Sequence, residues 1–257
     1  MLKRLLKILS LTLLFGYVGM GVLLYVYQSK ILYHPTPNIK IDYPQMVLSQ
    51  DGAKVVVHVL NTGHTNAILY FGGNAESMAK SADYIAQQFP SFTCYLMDYR
   101  GYGESTGEAS EKVLYADALV LYDEVAKKHK RISIGGRSLG TGIATYVAAH
   151  REVSKLALIT PYESIVAVAQ ERYPLYPVSL LLEERYDSLS RVKDIKAKTF
   201  IVMAENDKVI PRMHTQKLID AFEKGQLTVT VIKNRGHIDI SSDKRYYKIM
   251  QDFIGEG

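Results

Sequence analysis

The feature that most constrains the fold of this chain is a serine flanked by glycines at the end of a short apolar run. Residues 136–140 read GRSLG, between the apolar residues 132–135 and the helix-like residues 141–150. Small residues two positions before and after a serine allow a sharp turn from strand to helix that exposes the serine hydroxyl. A chance match occurs in about one chain in ten or twenty of this length. The position between strand and helix is therefore what makes Ser138 a candidate nucleophile.

Strand-length apolar runs alternate with amphipathic helical stretches after residue 50. The predicted strands are residues 55–60, 67–71, 92–97, 132–135, 155–159, 199–204 and 228–232. This alternation predicts an α/β fold whose mostly parallel sheet is covered by helices on both faces, with ligands at the carboxyl ends of the strands. The turn-rich residues 61–64 predict that the first two strands are neighbours in the sheet.

One interval, residues 162–194, is too long for a simple loop between strands. Residues 173–177 read YPLYP, and the two prolines interrupt any single helix there. We interpret the interval as a short cap inserted after the strand at 155–159. The alternative is a plain crossover helix with a ragged end.

A serine hydroxyl is a weak nucleophile unless a base takes its proton and an acid orients that base. Asp207 follows the strand at 199–204, and His237 follows the last predicted strand. Both positions lie at the same edge of the sheet as Ser138, in the chain order serine, acid, histidine. The order predicts that His237 is the general base and that Asp207 orients it. Three acids remain as rivals to Asp207: Glu205, Asp239 and Asp187.

The oxyanion of an acyl-transfer intermediate needs two backbone donors. One is expected from the amide of Leu139, the residue after the nucleophile. The other is expected from residues 71–75, FGGNA, where paired glycines let the backbone approach a substrate and a helix is predicted to begin near Ala75. Asn74 is the predicted second donor, and an ordinary glycine turn is the alternative for these residues.

The amino-terminal residues 8–27 carry no charge and are rich in leucine, valine and tyrosine. As a helix they would be about 30 Å long, the thickness of the hydrocarbon core of a bilayer. We therefore predict a membrane anchor at residues 1–30 and one α/β domain at residues 31–257. A cleaved signal peptide is the alternative, but the apolar run is longer than the usual signal segment.

Charge around this segment predicts its orientation. Lys3, Arg4, Lys7 and the free amine precede the apolar run, whereas Lys30 and Lys40 follow it. The excess predicts a single-pass protein with a cytoplasmic amino terminus and its domain on the non-cytoplasmic side. The net charge of the chain is +5, and residues 1–30 account for +4 of it. The domain is therefore nearly neutral, which argues against a nucleic-acid partner.

The single cysteine, Cys94, excludes an internal disulfide and a cysteine-rich metal site. It lies in an apolar run, which favours a buried structural thiol over a reactive one.

With these residues in place, the chain resembles the α/β-hydrolase superfamily over roughly residues 45–255. It is most similar to the membrane-anchored, short-capped hydrolases that include eukaryotic depalmitoylating enzymes and bacterial relatives. The matching stretches are residues 69–75, 98–103, 136–140, 160–162 and 186–188, with the segments around Asp207 and His237. One departure is Gly72, which replaces the histidine of the subgroup's usual His-Gly-Asn. We expect this change to keep the backbone donors and to alter the polarity of the pocket. Residues 98–103 resemble a structural loop without a catalytic role.

The resemblance implies hydrolysis of esters or thioesters through an acyl-serine intermediate, without a metal or an organic cofactor. Apolar pockets bind apolar groups, so we expect a small-molecule or lipid ester with an acyl chain as substrate. A serine peptidase of the same fold is one alternative, because related folds cleave amides with the same residues. A catalytically silent membrane-bound scaffold is the other, and Gly72 is its only sequence signal.

Overall fold

The computed structural model describes residues 1–255, apart from the side chain of Lys244. The strands are β1 Gln45–Gln50, β2 Ala53–Leu60, β3 Asn66–Phe71, β4 Thr93–Met97, β5 Arg131–Arg137, β6 Lys155–Ile159, β7 Lys198–Ala204 and β8 Leu227–Ile232. The α-helices are α1 Leu2–Leu32, α2 Met78–Gln88, α3 Glu111–Ala126, α4 Leu139–His150, α5 Ile165–Arg172, α6 Val178–Leu181, α7 Arg212–Asp220 and α8 Lys244–Gly255. Two 3-10 helices occupy Leu189–Asp194 and Asp239–Ser242.

All eight strands form one sheet in the order β1-β2-β4-β3-β5-β6-β7-β8. The β1–β2 and β2–β4 pairs are antiparallel, and every other pair is parallel. The mostly parallel sheet predicted from the alternation of strands and helices is thus confirmed. Because carboxyl ends of parallel strands meet at one edge, the loops after β3, β5, β7 and β8 lie together.

The prediction that the first two strands are neighbours is wrong. Strand β4 lies between β2 and β3, and Cys94 pairs with Leu60 on one side and Ile68 on the other. The turn residues between β2 and β3 are compatible with an adjacent strand or with a step over one strand. Only the pairing of a distant segment decides between these two paths.

Strand β1 was not predicted. It pairs with β2 through a hairpin at Asp51 and Gly52, both of which have positive φ, 47° and 76°. An Asp-Gly pair in this conformation is a common two-residue hairpin turn. The pair was the available signal, but the strand itself is half exposed and mixed in polarity, so its pattern did not stand out.

Helices cover both faces of the sheet, as predicted. Alternate residues of β3 enter different clusters, with Leu69 and Phe71 in one and Ile68 in the other. The first cluster includes buried side chains of α3 and α4, and the second includes those of α2 and α8. Burying one large apolar side chain stabilises the fold by about 1.5–3 kcal/mol, and such burial on both faces holds the strand ends in place.

Among residues 1–255, one helix is long and apolar enough to cross a membrane, and it is α1. Its length of 31 residues corresponds to about 46 Å. Most of its side chains are exposed, but Gly21, Leu24, Gln28 and Leu32 are half-buried. These residues recur every three or four positions, so one face of the second half of α1 contacts the domain.

Residues 162–194, which we call the cap, connect β6 to β7. They hold two short helices, α5 and α6, followed by the 3-10 helix Leu189–Asp194. Helix α5 ends at Arg172, immediately before Tyr173 and Pro174. The proline disfavours helical backbone at the residue before it, which explains the break.

Candidate active site

Ser138 lies in the turn between β5 and α4 with φ 49° and ψ −119°, a region that side-chain-bearing residues rarely adopt. The glycines around it are required by close contacts. A Cβ atom on Gly136 would lie 2.6 Å from the carbonyl oxygen of Gly140, and one on Gly140 would lie 2.0 Å from that of Phe71. The turn is therefore possible only with glycine at both positions, as the GRSLG pattern indicated.

The structure brings Ser138, His237 and Asp207 into one hydrogen-bonded chain. Nε2 of His237 lies 2.8 Å from Oγ of Ser138, and Nδ1 lies 2.8 Å from Oδ2 of Asp207. A carboxylate at Nδ1 favours the tautomer with its proton there, which leaves Nε2 free to accept from the serine hydroxyl. The histidine side chain is 11% exposed and the aspartate side chain 7% exposed. The chain of contacts thus has the arrangement that activates a serine oxygen.

Asp207 is oriented by its own loop after β7. Its Oδ1 accepts hydrogen bonds from the amides of Val209 (2.9 Å) and Ile210 (2.8 Å). The other oxygen is left for His237. Because two backbone donors hold the carboxylate, its geometry does not depend on a flexible side-chain partner.

Each of the three rival acids binds a backbone amide instead of the imidazole. Glu205 accepts from Asn234 at 2.8 Å, and Asp239 accepts from Gly236 at 2.8 Å. Asp187 accepts within the cap, from the amide three residues after it. Two of these acids therefore shape the loop that carries the histidine.

The two predicted oxyanion donors, Asn74 and Leu139, line the same cavity as Ser138. Within residues 1–255, the backbone amide of Asn74 donates no hydrogen bond to another backbone group. Leu139 is the first residue of α4, where helix geometry leaves the amide without an intrahelical acceptor. The side-chain amide of Asn74 donates to the carbonyl of Leu32 at 2.8 Å, which ties this loop to the end of α1.

The helix predicted to begin near Ala75 begins three residues later, at Met78, after the N-cap Ser77. The intervening turn is stabilised by Glu76, whose carboxylate accepts from the amide of Gly73 at 3.0 Å. A local capping interaction at Ser77 therefore sets the helix start, and the predicted start near Ala75 is wrong by three residues.

Gly72, the departure from the subgroup pattern, has little space for a side chain. A Cβ atom there would lie 2.3 Å from the terminal carbon of Met78 and 3.3 Å from Cβ of Glu76. The hydroxyl of Tyr99 donates to the Gly72 carbonyl at 2.7 Å. Met78 thus occupies the room beside the glycine, and the backbone is held from the 98–103 loop.

Two charged residues near the site were missed by the sequence analysis. Arg137 donates to the carbonyls of His237 (3.2 Å) and Ile238 (3.0 Å), and it lies 3.7 Å from Glu76. The pair connects the histidine loop, the serine turn and the 72–76 loop. The only available signal was the position of Arg137 beside the nucleophile, where the residue type is not restricted by the turn.

A cavity of about 390 Å³ opens above Ser138. Ser138, Leu139 and Asn74 form one side, and Tyr162 forms another, its hydroxyl donating to the Leu139 carbonyl at 3.0 Å. Burial raises the pKa of Tyr162 far above its ordinary value, so the phenol stays neutral. The remaining lining comes mainly from α1 and the cap and is mostly apolar, with Gln28, His34 and Arg172 among its polar members. Its aliphatic side chains include Leu24, Ile31, Ile165, Val168, Val178 and Leu181.

Among the described residues, no group of three or more histidine, cysteine, aspartate or glutamate side chains could hold a metal ion. Most of the cavity lining is apolar. The residues present can therefore activate a serine oxygen and accommodate an apolar group.

Comparisons with known proteins identify the same fold as the strand order and the serine turn do. The family model of the alpha/beta hydrolase fold matches residues 66–177. A solved esterase from Pyrococcus furiosus superposes with a TM-score of 0.66 and 15% identity, covering 87% of this chain and 97% of the esterase. At this identity the structural similarity concerns the fold alone.

Relatives of similar length exist in bacteria and in yeast. An uncharacterized protein of Mycobacterium tuberculosis is 28% identical over 241 residues, covering 86% of this chain and 85% of that protein. An uncharacterized membrane protein of Saccharomyces cerevisiae is 26% identical over 258 residues, covering 91% and 90%. The similarity to the yeast protein extends over almost the whole chain.

Proposed function

Because the chain belongs to the α/β-hydrolase superfamily, we propose that it is a membrane-anchored serine hydrolase of carboxylic esters or thioesters. The observation that carries this proposal is the hydrogen-bonded chain Ser138–His237–Asp207, with 2.8 Å at each contact. The glycine-lined turn that exposes the serine at the edge of the cavity supports it further.

In the proposed reaction, Oγ of Ser138 attacks the carbonyl carbon while Nε2 of His237 takes the hydroxyl proton. Asp207 stabilises the resulting imidazolium, and the amides of Asn74 and Leu139 stabilise the oxyanion. The imidazolium then protonates the leaving alcohol or thiol, which departs and leaves an acyl-serine. A water molecule, deprotonated by His237, attacks this ester and releases the acid, and the proton returns to Ser138.

We infer from the cavity that the acyl part of the substrate is apolar. The lining away from Ser138 consists mainly of aliphatic and tyrosine side chains of α1 and the cap. Such surfaces bind hydrocarbon chains and give little specific recognition of polar groups. This supports the predicted resemblance to hydrolases of acyl esters and thioesters.

We also infer that α1 anchors the protein in a membrane. The helix is uncharged over residues 8–27, most of its surface is exposed, and its length suffices to cross a bilayer. The similarity to a yeast membrane protein over nearly the whole chain is consistent with this inference.

The function is tested with the full chain in nanodiscs, because α1 supplies part of the cavity lining. Hydrolysis is measured on p-nitrophenyl esters from acetate to palmitate, beside the variant Ser138→Ala. We expect activity that rises with acyl length and falls by at least about 10³-fold in the variant. A fluorophosphonate probe is expected to label the unsubstituted protein and not Ser138→Ala.

Three results would contradict the proposal in different ways. Equal activity in Ser138→Ala would exclude the serine as nucleophile. Cleavage of peptide amides without ester cleavage would indicate a peptidase. Absence of both labelling and hydrolysis in a folded protein would indicate a scaffold.

A further inference from the structure

The outermost part of the cap is apolar and exposed. Residues 173–182 read YPLYPVSLLL and carry no charge, whereas charged residues flank them on both sides. Leu175 is 76% exposed and Leu180 is 83% exposed. Apolar side chains grouped in this way on a surface indicate contact with a partner or a membrane. We call residues 173–182 the cap apex.

The cap apex packs along the middle of α1. The rings of Tyr17 and Tyr176 stack with centroids 4.7 Å apart and an interplanar angle of 2°. The Tyr17 hydroxyl donates to the carbonyl of Leu175 at 2.6 Å, and the Tyr176 hydroxyl donates to the carbonyl of Tyr17 at 3.2 Å. Both phenols are thus satisfied by protein acceptors, which hydrocarbon surroundings require because no water is available there.

A charged side chain joins the α1–cap contact where α1 approaches the domain. The hydroxyl of Tyr25 donates to the carboxylate of Glu183 at 2.9 Å, and the amide of Glu183 donates to the side-chain oxygen of Gln28 at 2.9 Å. Moving from the apex toward the domain, the α1–cap contact therefore changes from neutral groups alone to one that includes a carboxylate. This gradient matches the passage from the interior of a leaflet to its headgroup region.

The position of Tyr17 along α1 indicates whether water or lipid surrounds the cap apex. If the whole domain stayed outside the bilayer, the hydrocarbon core would have to be crossed by residues 8–16, about 14 Å of helix. That is about half of the required thickness, and it would draw Lys3, Arg4 and Lys7 into the hydrocarbon. Placing residues 8–27 across the bilayer instead puts Tyr17 and the cap apex near its centre, about 15 Å from the end of the uncharged run.

The cavity above Ser138 adjoins a second cavity on this apolar surface. A second cavity of about 370 Å³ lies between α1 and the apex, and it shares Gly21, Tyr25, Tyr176 and Leu181 with the first. At Gly21 a Cβ atom would lie 3.1 Å from the Tyr176 ring, so the glycine lets this ring approach α1 closely where the two cavities share their lining.

We propose that the cap apex is a second membrane-inserting element, and that the gap between it and α1 admits an acyl chain from the bilayer leaflet to Ser138. The insertion of the cap apex is inferred from its contacts with α1 alone. The path for the acyl chain also rests on the proposed hydrolase function. The substrate class is accordingly an ester or thioester whose acyl chain resides in the hydrocarbon of the leaflet next to the domain.

Insertion is tested by fluorescence, since the chain contains no tryptophan. The variant Leu180→Trp, in full-length protein in nanodiscs, reports the surroundings of the apex. Tyr84→Trp is the control, because Tyr84 lies on α2 and makes an edge-to-face contact with Tyr247 of α8, on the face of the sheet away from α3 and α4. Lipids brominated in the middle of their acyl chains are expected to quench Leu180→Trp at least about threefold more than Tyr84→Trp. Equal quenching would overturn the insertion.

The acyl path is tested by comparing two substrates in Leu180→Asp. A charge at the apex disfavours its insertion into hydrocarbon. We expect the rate on a long-chain ester embedded in the nanodisc, divided by the rate on soluble p-nitrophenyl acetate, to fall about tenfold. An unchanged ratio would overturn the path from the leaflet. If the unsubstituted protein hydrolyses neither ester, the proposed function and this path fail together, while the quenching result still decides the insertion.

Discussion

At the scale of single residues, the candidate site depends on each polar atom of Asp207 and His237 having its own hydrogen-bond partner. Asp207 uses one carboxylate oxygen for two backbone amides and the other for His237. His237 in turn has one nitrogen at the acid and one at Ser138. In this arrangement Asp207 orients the imidazole of His237 and stabilises its charged form.

We therefore expect Asp207→Asn to lower kcat by about 10⁴-fold, because an amide at this position favours the wrong histidine tautomer. Asp187→Asn is the matched control, since an amide oxygen can still accept from the amide of Ser190. The measurement is ester hydrolysis by both variants under saturating substrate. A loss of similar size in Asp187→Asn, or none in Asp207→Asn, would show that the wrong acid has been assigned.

Cys94 illustrates a residue whose chemistry is suppressed by its position. The side chain is fully buried in β4, and burial raises the pKa of its thiol to about 12. At pH 8 the thiolate fraction is then about one part in ten thousand. The prediction of a buried structural thiol is confirmed.

The native protein should accordingly react with a thiol reagent such as DTNB at least about 100-fold more slowly than the denatured chain. The measurement is the rate of colour development at pH 8, before and after unfolding. Hydrolysis should also survive treatment of the native protein with the reagent. Rapid labelling with loss of activity would contradict both expectations.

At the scale of secondary-structure elements, the close approach of α4 to the end of β3 matters most. It brings the serine turn against the 72–74 loop, and Gly140 is the contact point. Arg137 and Glu76 hold the loops on either side. The site is thus assembled by the packing of a helix end against a strand end.

Gly140→Ala is expected to destabilise the fold by about 1–3 kcal/mol, because the added methyl group would overlap the backbone of Phe71 and Gly72. The activity should fall as well, since the 72–74 loop must move. The measurement is denaturant unfolding in detergent together with ester hydrolysis. Gly255→Ala, where no atom lies within 4 Å of the new Cβ, should leave both unchanged.

At the scale of the whole molecule, α1 is both the candidate anchor and a wall of the cavity. Gly21, Leu24, Gln28 and Leu32 face the domain, and Leu32 accepts a hydrogen bond from Asn74. Removing α1 would expose the cavity on this side. A function for the helix in the folded protein favours its retention over its removal as a signal peptide.

The charge distribution around α1 predicts that the domain lies outside the cytoplasm. A reporter enzyme that is active only after export, fused to the carboxyl terminus, should therefore be active. A second reporter that works only in the cytoplasm serves as the control and should be inactive at the same position. The reverse pattern would place the domain in the cytoplasm.

Much of this protein was determined by local sequence. The glycines at 136 and 140, between an apolar strand and a helix, specify the serine turn because no other residue fits the backbone contacts there. The order of strands and helices likewise determined that Asp207 and His237 reach the same sheet edge, since parallel strands present their carboxyl ends together. The apolar run at the amino terminus needed only its length and composition to predict a membrane span.

The tertiary structure alone decided which distant surfaces meet. It placed β4 between β2 and β3, brought Arg137 to Glu76, and packed Tyr17 of α1 against Tyr176 of the cap. These contacts join segments up to about 160 residues apart, and each segment has a plausible conformation without the other. Local patterns report the conformation of a segment and which side it buries. The partner of the buried side is set by the packing of the whole chain.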